Sequence, residues 1–191
     1  MLKLEIHTHN PEENLALEQH LMTFGQEVFM LWRNAPSVIA GRFVNISEEV
    51  DINFAERHGL PIVRRKSGGG TVYHDLGNVN YTFIMREDKA LTIEYFSRKM
   101  IRVLDAVGVN AELEFRHNDI LADGQKISGA AQYHNGGIML HHGTLLFDAD
   151  LSMLAKVLKN PGRVANIRPL LKRETGVYIF MRRLVEYVSC V

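Results

Sequence analysis

Three glycines follow three cations in the segment of the chain with the strongest chemical signal. Residues 64–75 have the sequence RRKSGGGTVYHD and lie between two strand-like runs. Glycine loses more backbone freedom on folding than any other residue, so a triplet usually permits close ligand approach or dihedral angles that a Cβ forbids. Exposed N–H groups beside positive charge favour an anion such as phosphate or carboxylate. A flexible hairpin with a solvated basic face explains the triplet about equally well.

Two common phosphate-binding patterns do not fit this segment. A P-loop requires Gly-Lys-Ser/Thr at a fixed spacing, which is missing here. Tyr73 occupies the position at which a dinucleotide-binding fingerprint needs its third glycine. Neither of these two motifs therefore explains the segment, and both an anion site of another kind and a flexible hairpin stay open.

A second candidate is a lysine in a short strand that follows a tight turn. Residues 118–131 have the sequence NDILADGQKISGAA, in which small residues after Lys126 leave room for a bound group. A lysine ammonium is a compact cation that can contact two anionic oxygens at once. Composition alone favours the plainer alternative, a surface lysine beside a hairpin.

Histidine and cysteine give weaker signals. His141 and His142 are adjacent in a strand-like run, so they point to opposite faces and do not form a chelating pair. We expect one of them to be packed and the other exposed. His7 and His9 share a predicted strand face without further metal ligands, and Cys190 lacks the surroundings of a nucleophile.

Length and charge restrict the class of protein. The chain has 191 residues, and 22 Lys and Arg balance 22 Asp and Glu. A net charge of zero argues against action through a bulk field, so we expect neither nucleic acid nor membrane as a partner. A single cysteine, no long apolar stretch and no signal-like start predict one cytoplasmic domain over residues 1–191.

Hydrophobic periodicity predicts a mixture of strands and helices. Alternation of period two predicts strands at residues 1–8, 28–32, 37–40, 62–65, 71–74, 80–85, 113–115, 119–121, 126–128 and 139–146. Helices are predicted after Asn10-Pro11 and at residues 47–57, 93–107, 151–158 and 178–188. Short turns in the second half favour an α+β fold, a mixed or antiparallel sheet flanked by helices, over a doubly wound parallel sheet.

Four ordered segments together resemble the lipoate–protein ligase A family. They are residues 64–78, 118–120, 123–129 and 141–146, and residues 163–167 resemble a later family segment. The resemblance spans essentially the whole chain, and a joint match in the family's order is far more specific than any one motif. It implies the fold of biotin and lipoate ligases, which is related to class II aminoacyl-tRNA synthetases.

The resemblance also implies a two-step reaction. Lipoate and ATP with Mg²⁺ would form lipoyl-AMP and pyrophosphate, and a lysine of an acceptor protein would then displace AMP. The implied acceptors are apo lipoyl domains of 2-oxoacid dehydrogenase acyltransferase subunits or the glycine-cleavage H protein. A carboxylate and a triphosphate repel each other, so their contact requires cations and aligned donors.

Site residues follow from their positions in the matching motifs. Lys126, the implied catalytic residue, would reach both the lipoyl carboxylate and the α-phosphate. The implied ATP-binding residues are Lys126, Lys66, Thr71, Val72, Tyr73 and His74. The implied lipoate-binding residues are Lys126, Arg65, Ser67, Gly68, Gly69, Gly70 and His142. Asp119 would hold Lys126 or a metal ion.

One departure from the family leaves several functions open. Members with full ligase activity usually carry a small C-terminal domain or use a separate accessory chain, and we expect residues 1–191 to be the catalytic domain without that small domain. The chain is therefore expected to be a truncated ligase, one half of a two-chain ligase or a transfer-only enzyme.

Two functions compete with the ligase. An octanoyl or lipoyl transferase of the same fold generally needs a cysteine nucleophile in the body of the domain, where this sequence has none. A non-catalytic lipoate-binding paralogue fits the missing domain but not the retained Lys126. A biotin ligase is less favoured, because its glycine-rich signature differs.

Overall fold

The computed structural model describes residues 1–189, so Cys190 lies outside the described residues. The strands are β1 Leu2–Glu5, β2 Val28–Trp32, β3 Ser37–Ala40, β4 Ile62–Arg64, β5 Val72–His74, β6 Asn78–Arg86, β7 Glu112–Glu114, β8 Asp119–Ala122, β9 Gln125–Ser128, β10 Ala130–Asn135 and β11 Ile138–Leu146. The helices are α1 Pro11–Met22, α2 Ile46–Glu49, α3 Ile52–Arg57, α4 Ile93–Ala106, α5 Leu151–Val157 and α6 Val177–Tyr187, and a 3-10 turn covers Arg168–Leu170. Among the described residues, no helix is both long and apolar enough to cross a membrane.

A mixed five-stranded sheet forms the centre of the molecule. Its strand order is β1-β2-β6-β11-β10, with β1 parallel to β2 and all other neighbours antiparallel. Alternate strand residues point to opposite faces, so the sheet carries two apolar layers. One layer joins Phe29 and Phe83 to α4 and α6, and the other joins Met30 and Trp32 to α1. The predicted α+β fold, a mixed sheet flanked by helices, is confirmed.

A second sheet fixes both ends of residues 64–75, which we term the glycine segment. Its order is β4-β3-β5, with β3 parallel to β4 and antiparallel to β5. Ala40 pairs with Arg64 at one end of the segment, and Ser37 pairs with His74 at the other. An apolar cluster packs this sheet against α3 and α5.

A third, antiparallel sheet of β7, β8 and β9 fixes Lys126. Asp123 and Gly124 join β8 to β9 with φ angles of 49° and 68°, as a two-residue type I′ hairpin turn requires. The N–H of Lys126 donates to the carbonyl of Arg163 at 2.9 Å, and its carbonyl accepts from Ala165 at 3.0 Å. The lysine backbone is therefore held between the hairpin and a later segment of the chain.

Some predicted elements differ from those observed. Helix α4 is confirmed within one residue, and Gly108 follows it with a φ of 95°. The single helix predicted at 47–57 is wrong, because Val50 is extended, buried and bridged to Leu158 between α2 and α3. β1 ends before His7 and His9, so these residues share no strand. β10 is not predicted by alternation, since it begins with two alanines, which are depleted in strands.

Candidate functional site

Two cavities meet below the glycine segment. The first cavity has a volume of about 350 Å³ and the second about 320 Å³. Six residues line both cavities and form what we term the junction: Gly70, Thr71, Val72, Lys126, Gly129 and Thr144. The fold therefore brings the two candidate segments, 64–75 and 118–131, into the lining of one shared space.

Lys126 is the cation at the junction. Its Nζ lies 2.9 Å from Oδ1 of Asp119, and its side chain is 38% exposed. A Cβ at Gly129 would come within 3.0 Å of this Nζ, so the glycine leaves room for the ammonium group. Lys126 thus lines a cleft, unlike a lysine on the open surface of a hairpin. Asp119 takes the first of its two predicted roles, holding Lys126.

Arg65 organises the glycine segment from inside the protein. Its Nη2 donates to the carbonyls of Gly68 and Gly70, both at 2.7 Å. Burial lowers the pKa of Arg65 to about 10, against the opposing effects of Glu18 and Glu49, so the guanidinium stays charged at neutral pH. Its donors therefore bind the carbonyls of the loop itself, whereas the sequence suggested that they would face an anion.

A positive φ angle explains one glycine of the segment, and close backbone approach explains another glycine that packs against it. Gly69 has a φ of 82°, which glycine adopts without the usual penalty. A Cβ at Gly41 would lie 1.9 Å from the carbonyl oxygen of Gly69. Arg64 adds hydrogen bonds to the carbonyls of Gly41, Arg42 and Val44. Hydrogen bonds and close packing thus hold the segment in one conformation, which argues against the alternative of a flexible hairpin.

The adjacent histidines have different surroundings on the two faces of β11. Both are buried, so the expectation that one is exposed is wrong. His141 stacks on Phe96 with ring centroids 4.5 Å apart, and burial lowers the pKa of His141 well below its ordinary value. His142 lines the first cavity, with Nε2 2.7 Å from Oγ of Ser67 and Nδ1 3.0 Å from Oε1 of Glu18.

Three polar atoms beside or within the junction have no hydrogen-bond partner among residues 1–189. They are Nε2 of His74, Nδ2 of Asn80 and Oγ1 of Thr71, and all three residues line the first cavity. Asn34 donates to Nδ1 of His74 at 3.0 Å, so the ring proton lies on Nε2. Burial lowers the pKa of His74 to about 3 and keeps the ring neutral. Because buried polar groups are normally paired, these atoms mark a place for a polar ligand.

Glu49 and Asn80 are site residues that the sequence analysis missed. Oε2 of Glu49 accepts a hydrogen bond from the backbone N–H of Thr71 at 2.6 Å, in the second cavity. Asn80 accepts from Asn78 at 2.8 Å, which leaves its amide nitrogen facing the first cavity. The alternation of Asn78 and Asn80 at the start of an apolar strand could have indicated this site. No local pattern indicates Glu49, since its contact depends on how α2 packs.

The cavities contain most of the predicted site residues. The first is lined by Arg65, Gly69, Gly70, Thr71, Val72, His74, Asp119, Lys126 and His142. The second is lined by Gly70, Thr71, Val72, Tyr73 and Lys126. Lys66 and Ser67 line a third cavity of about 210 Å³, which shares Arg65 and His142 with the first, and Gly68 lines none of the three.

Metal ligands do not form a cluster in the part of the chain that the structure describes. Across residues 1–189 no group of three or more His, Cys, Asp or Glu side chains is arranged to hold a metal ion. The carboxylates nearest the junction are Asp119, which is paired with Lys126, and Glu49, which is bound to Thr71.

Sequence relatives point to one family. Residues 10–189 match the family model for the lipoyl protein ligase A/B catalytic domain. Lipoate-protein ligase LplJ of Bacillus subtilis is 36% identical over 197 residues, covering 94% of this chain and 59% of LplJ. The mitochondrial lipoyl amidotransferase LIPT1 of Homo sapiens is 38% identical over 155 residues, covering 78% of this chain and 41% of LIPT1. The chain thus spans only part of the length of these relatives.

Solved structures have the same fold. Protein Ta0514 of T. acidophilum with bound lipoic acid superposes with a TM-score of 0.87 at 30% identity, covering 98% of this chain and 84% of that one. A lipoate-protein ligase A bound with ATP gives 0.88 at 30% identity, covering 98% and 83%. A bi-partite lipoate protein ligase from Thermoplasma acidophilum, described with its E2 lipoyl domain, gives 0.85 at 28% identity, covering 98% and 82%. The chain belongs to the family of lipoyl protein ligase A/B catalytic domains.

Proposed function

We propose that this chain is the catalytic part of a lipoate–protein ligase, which activates lipoate with ATP and transfers the lipoyl group to a lysine of an apo lipoyl domain. The observation that supports this function most directly is that Lys126 lines two cavities at once. A ligase must bring a carboxylate and a phosphate into contact at one point, and a cation between two cavities meets that requirement. The ligase LplJ and the lipoate- and ATP-bound relatives favour the same reaction.

The first cavity would hold the lipoyl group. Its apolar lining includes Leu15, Trp32 and Ile39, which suit a hydrocarbon chain and its sulfur-containing ring. The carboxylate would lie at the junction within reach of Lys126. The proton on Nε2 of His74 can donate there without adding charge, because the ring is neutral.

The second cavity would hold the nucleotide. The α-phosphate would lie at the junction near Lys126 and Thr71, and the base would contact the apolar lining that includes Leu154 and Leu158. Mg²⁺ usually binds through one or two carboxylates together with substrate phosphates, and Glu49 or Asp119 could supply such an oxygen. When bound, the ion would neutralise phosphate charge. Lys66 lies outside this lining, so its predicted contact with ATP stays a prediction.

The two chemical steps make different demands on the junction. In the first, an oxygen of the lipoate carboxylate forms a bond to the α-phosphorus while the bond to pyrophosphate breaks. Both reactants are anions, so Lys126 would lower their repulsion and stabilise the charge that develops between them. In the second, the neutral amine of the acceptor lysine attacks the acyl carbon, AMP leaves and the amine releases one proton. The acyl group is already activated, so no protein nucleophile is required.

A transfer-only enzyme is the second candidate. LIPT1, a relative over most of this chain, is named an amidotransferase. A protein of this kind would take an already activated or carrier-bound lipoyl group and would not form the adenylate itself. The acceptor would again be a lipoyl domain, of a 2-oxoacid dehydrogenase acyltransferase subunit or the glycine-cleavage H protein. An accessory chain is a further proposed partner, since one relative is described as bi-partite. A cytoplasmic location stays a prediction.

Two assays separate these functions. The first measures exchange of labelled pyrophosphate into ATP in the presence of lipoate and Mg²⁺, and it reports adenylate formation. The second supplies preformed lipoyl-AMP or, in a parallel sample, a lipoylated carrier protein, together with an apo lipoyl domain, and measures the acceptor's gain in mass. Activity in both supports the ligase, and activity in the second alone supports transfer without activation. Lipoate binding with neither activity would contradict both enzymes and favour a binding protein.

A further inference from the structure

A continuous chain of hydrogen bonds links α1 to the glycine segment. Oε1 of Glu18 lies 3.0 Å from Nδ1 of His142, whose Nε2 lies 2.7 Å from Oγ of Ser67. Nε of Arg65 donates to the same Oγ at 2.9 Å. We term these four residues the inner wall, because each is no more than 9% exposed and all four line the third cavity. Glu18 is the innermost member, at 1% exposure.

The donors around Glu18 fix the direction of these hydrogen bonds. Nε1 of Trp32 can only donate, and it donates to Oγ1 of Thr82 at 2.9 Å. The hydroxyl proton of Thr82 is therefore free to point to Oε1 of Glu18, at 2.6 Å. An ionised carboxylate only accepts, so Nδ1–H of His142 donates to Glu18 as well. In neutral His142 the remaining nitrogen, Nε2, then accepts the hydroxyl proton of Ser67.

The negative charge of Glu18 also supports the positive charge of Arg65 within the wall. The buried guanidinium of Arg65 gains stability from the nearby carboxylates of Glu18 and Glu49. That guanidinium holds the carbonyls of Gly68 and Gly70 at 2.7 Å. A buried charge that loses its partner becomes strongly destabilising, so removal of the carboxylate should weaken the support of the loop.

We propose that Glu18 is a positioning residue for the lipoyl cavity, which holds the glycine segment in place through His142, Ser67 and Arg65. This inference rests on the proposed function for the identity of the ligand. Glu18 itself does not line the first cavity, but His142 and Arg65 do. Its effect on the lipoyl group would therefore pass through the shape of the wall.

The order Ser67–His142–Glu18 also resembles the arrangement of a nucleophile, a base and an orienting acid. Three observations favour a positioning role. Ser67 is 2% exposed and does not line the first cavity, and its Oγ already accepts from Arg65. A serine engaged in this way is not available to attack an acyl group. A covalent acyl adduct on Ser67, detected by mass spectrometry after incubation with lipoyl-AMP, would overturn the positioning role.

The test measures ligand binding to Glu18→Gln by calorimetry, with lipoate and ATP titrated separately. We expect the Kd for lipoate to rise about 10- to 100-fold, the loss typical of one charge-assisted hydrogen bond, with the Kd for ATP unchanged. Glu13→Gln is the matched control, because Glu13 is exposed on the same helix and its carboxylate accepts from Thr8. That variant should bind both ligands as the wild type does. Unchanged lipoate affinity in Glu18→Gln would overturn the proposal.

A second variant guards against simple loss of folding. Ser67→Ala removes the link but leaves Glu18 and Arg65 in place, and it should also weaken lipoate binding. If the wall acts as a unit, adding Glu18→Gln to Ser67→Ala should cause much less further loss than Glu18→Gln alone. Fully additive losses would contradict a shared role, since these two side chains communicate through His142.

Limited trypsin digestion tests the same inference without any ligand. Lys66 and Arg116 are both exposed, but only Lys66 lies in the glycine segment. Loosening of the loop in Glu18→Gln should speed cleavage after Lys66 and leave cleavage after Arg116 unchanged. Equal rates at Lys66 in the two proteins would overturn the proposal. Selective cleavage after Lys66 in Glu18→Gln, found together with a wild-type protein that does not bind lipoate, would instead support the wall and contradict the proposed function.

Discussion

The inner wall and the junction are adjacent, yet their polar groups are used in opposite ways. In the wall, the polar side chains bind one another, and Arg65 bonds both to Ser67 and to the carbonyls of the loop. Around the junction, donors on His74, Asn80 and Thr71 have no partner among residues 1–189. A satisfied network holds a shape, whereas unpaired buried donors are available to a ligand. The wall thus sets the shape of the lipoyl cavity, whereas the junction supplies the groups that would act on the ligand. We expect a substitution in one of them to leave the other largely unchanged.

Lys126→Ala should give the largest effect and should act mainly on the chemical step. We expect pyrophosphate exchange to fall by ~10²–10³-fold, the scale for loss of one preorganised charge stabiliser, with a smaller change in lipoate affinity. Lys156→Ala is the control, since Lys156 is exposed on α5 outside both cavities. Near-normal pyrophosphate exchange by Lys126→Ala would contradict the role that we assign to Lys126 in adenylate formation.

Gly69→Ala should act on shape. A left-handed alanine costs about 1–2 kcal/mol, so the loop would shift or lose stability, and lipoate binding should weaken about 10-fold. Gly25→Ala is matched in backbone strain, with a φ of 65° against 82°, but lies outside the cavities. Both variants should lose stability in urea unfolding, Gly69→Ala somewhat more because its Cβ would lie 3.0 Å from Nη2 of Arg65, and only Gly69→Ala should lose lipoate affinity by calorimetry. Equal affinities in the two variants would make Gly69 a simple turn residue.

Glu49→Gln should improve nucleotide binding. The carboxylate of Glu49 occupies the N–H of Thr71, a donor that a phosphate could use, and it repels anions in the second cavity. Removal of this charge should tighten binding of ATP without Mg²⁺ by about 3- to 5-fold, a modest effect because the site is partly solvated. Calorimetry with ATP and a chelator measures this, with Glu48→Gln as the neighbouring control. Weaker binding would indicate that Glu49 helps to hold the nucleotide.

The smallest effect on ligands is expected at His141, whose ring stacks on Phe96 on the face of β11 opposite to His142. The pKa values of His74 and His141 are lowered by burial, so the unfolded chain binds more protons below the ordinary histidine pKa of about 6.5. The free energy of unfolding should therefore be highest above that pH, and below it should fall by about 1.4 kcal/mol per pH unit for each histidine. His141→Phe keeps an aromatic ring against Phe96 and should make this slope shallower, with lipoate affinity unchanged. We would measure the free energy of unfolding with urea at pH 6 and pH 5. An equal loss between these two pH values in His141→Phe and in the wild type would contradict this assignment.

Local sequence patterns predict the junction better than the wall. The glycine triplet and Lys126 stand in short motifs with recognisable turns, and the hairpin at Asp123 and Gly124 fixes the lysine in a way that local rules describe. Alternation and capping likewise predict most of the central sheet and α4.

The wall depends on contacts between distant parts of the chain. Glu18 and His142 are separated by 124 positions, and Ser67 and His142 by 75. A glutamate within a helix predicts a solvated side chain, and only the packing of α1 against the central sheet buries it. The orientation of the Arg65 side chain could not be predicted either, because the carbonyls that it binds come close together only in the folded loop. Val50 is a similar case, where burial against a distant helix interrupts a locally plausible helix.

A crystal structure with a non-hydrolysable analogue of lipoyl-AMP tests the central claim most directly. We predict density for the acyl chain in the first cavity and for the nucleotide in the second, with the linking phosphate within about 3.2 Å of Nζ of Lys126. Density for both halves of the analogue in one cavity, or a linkage remote from Lys126, would contradict the account.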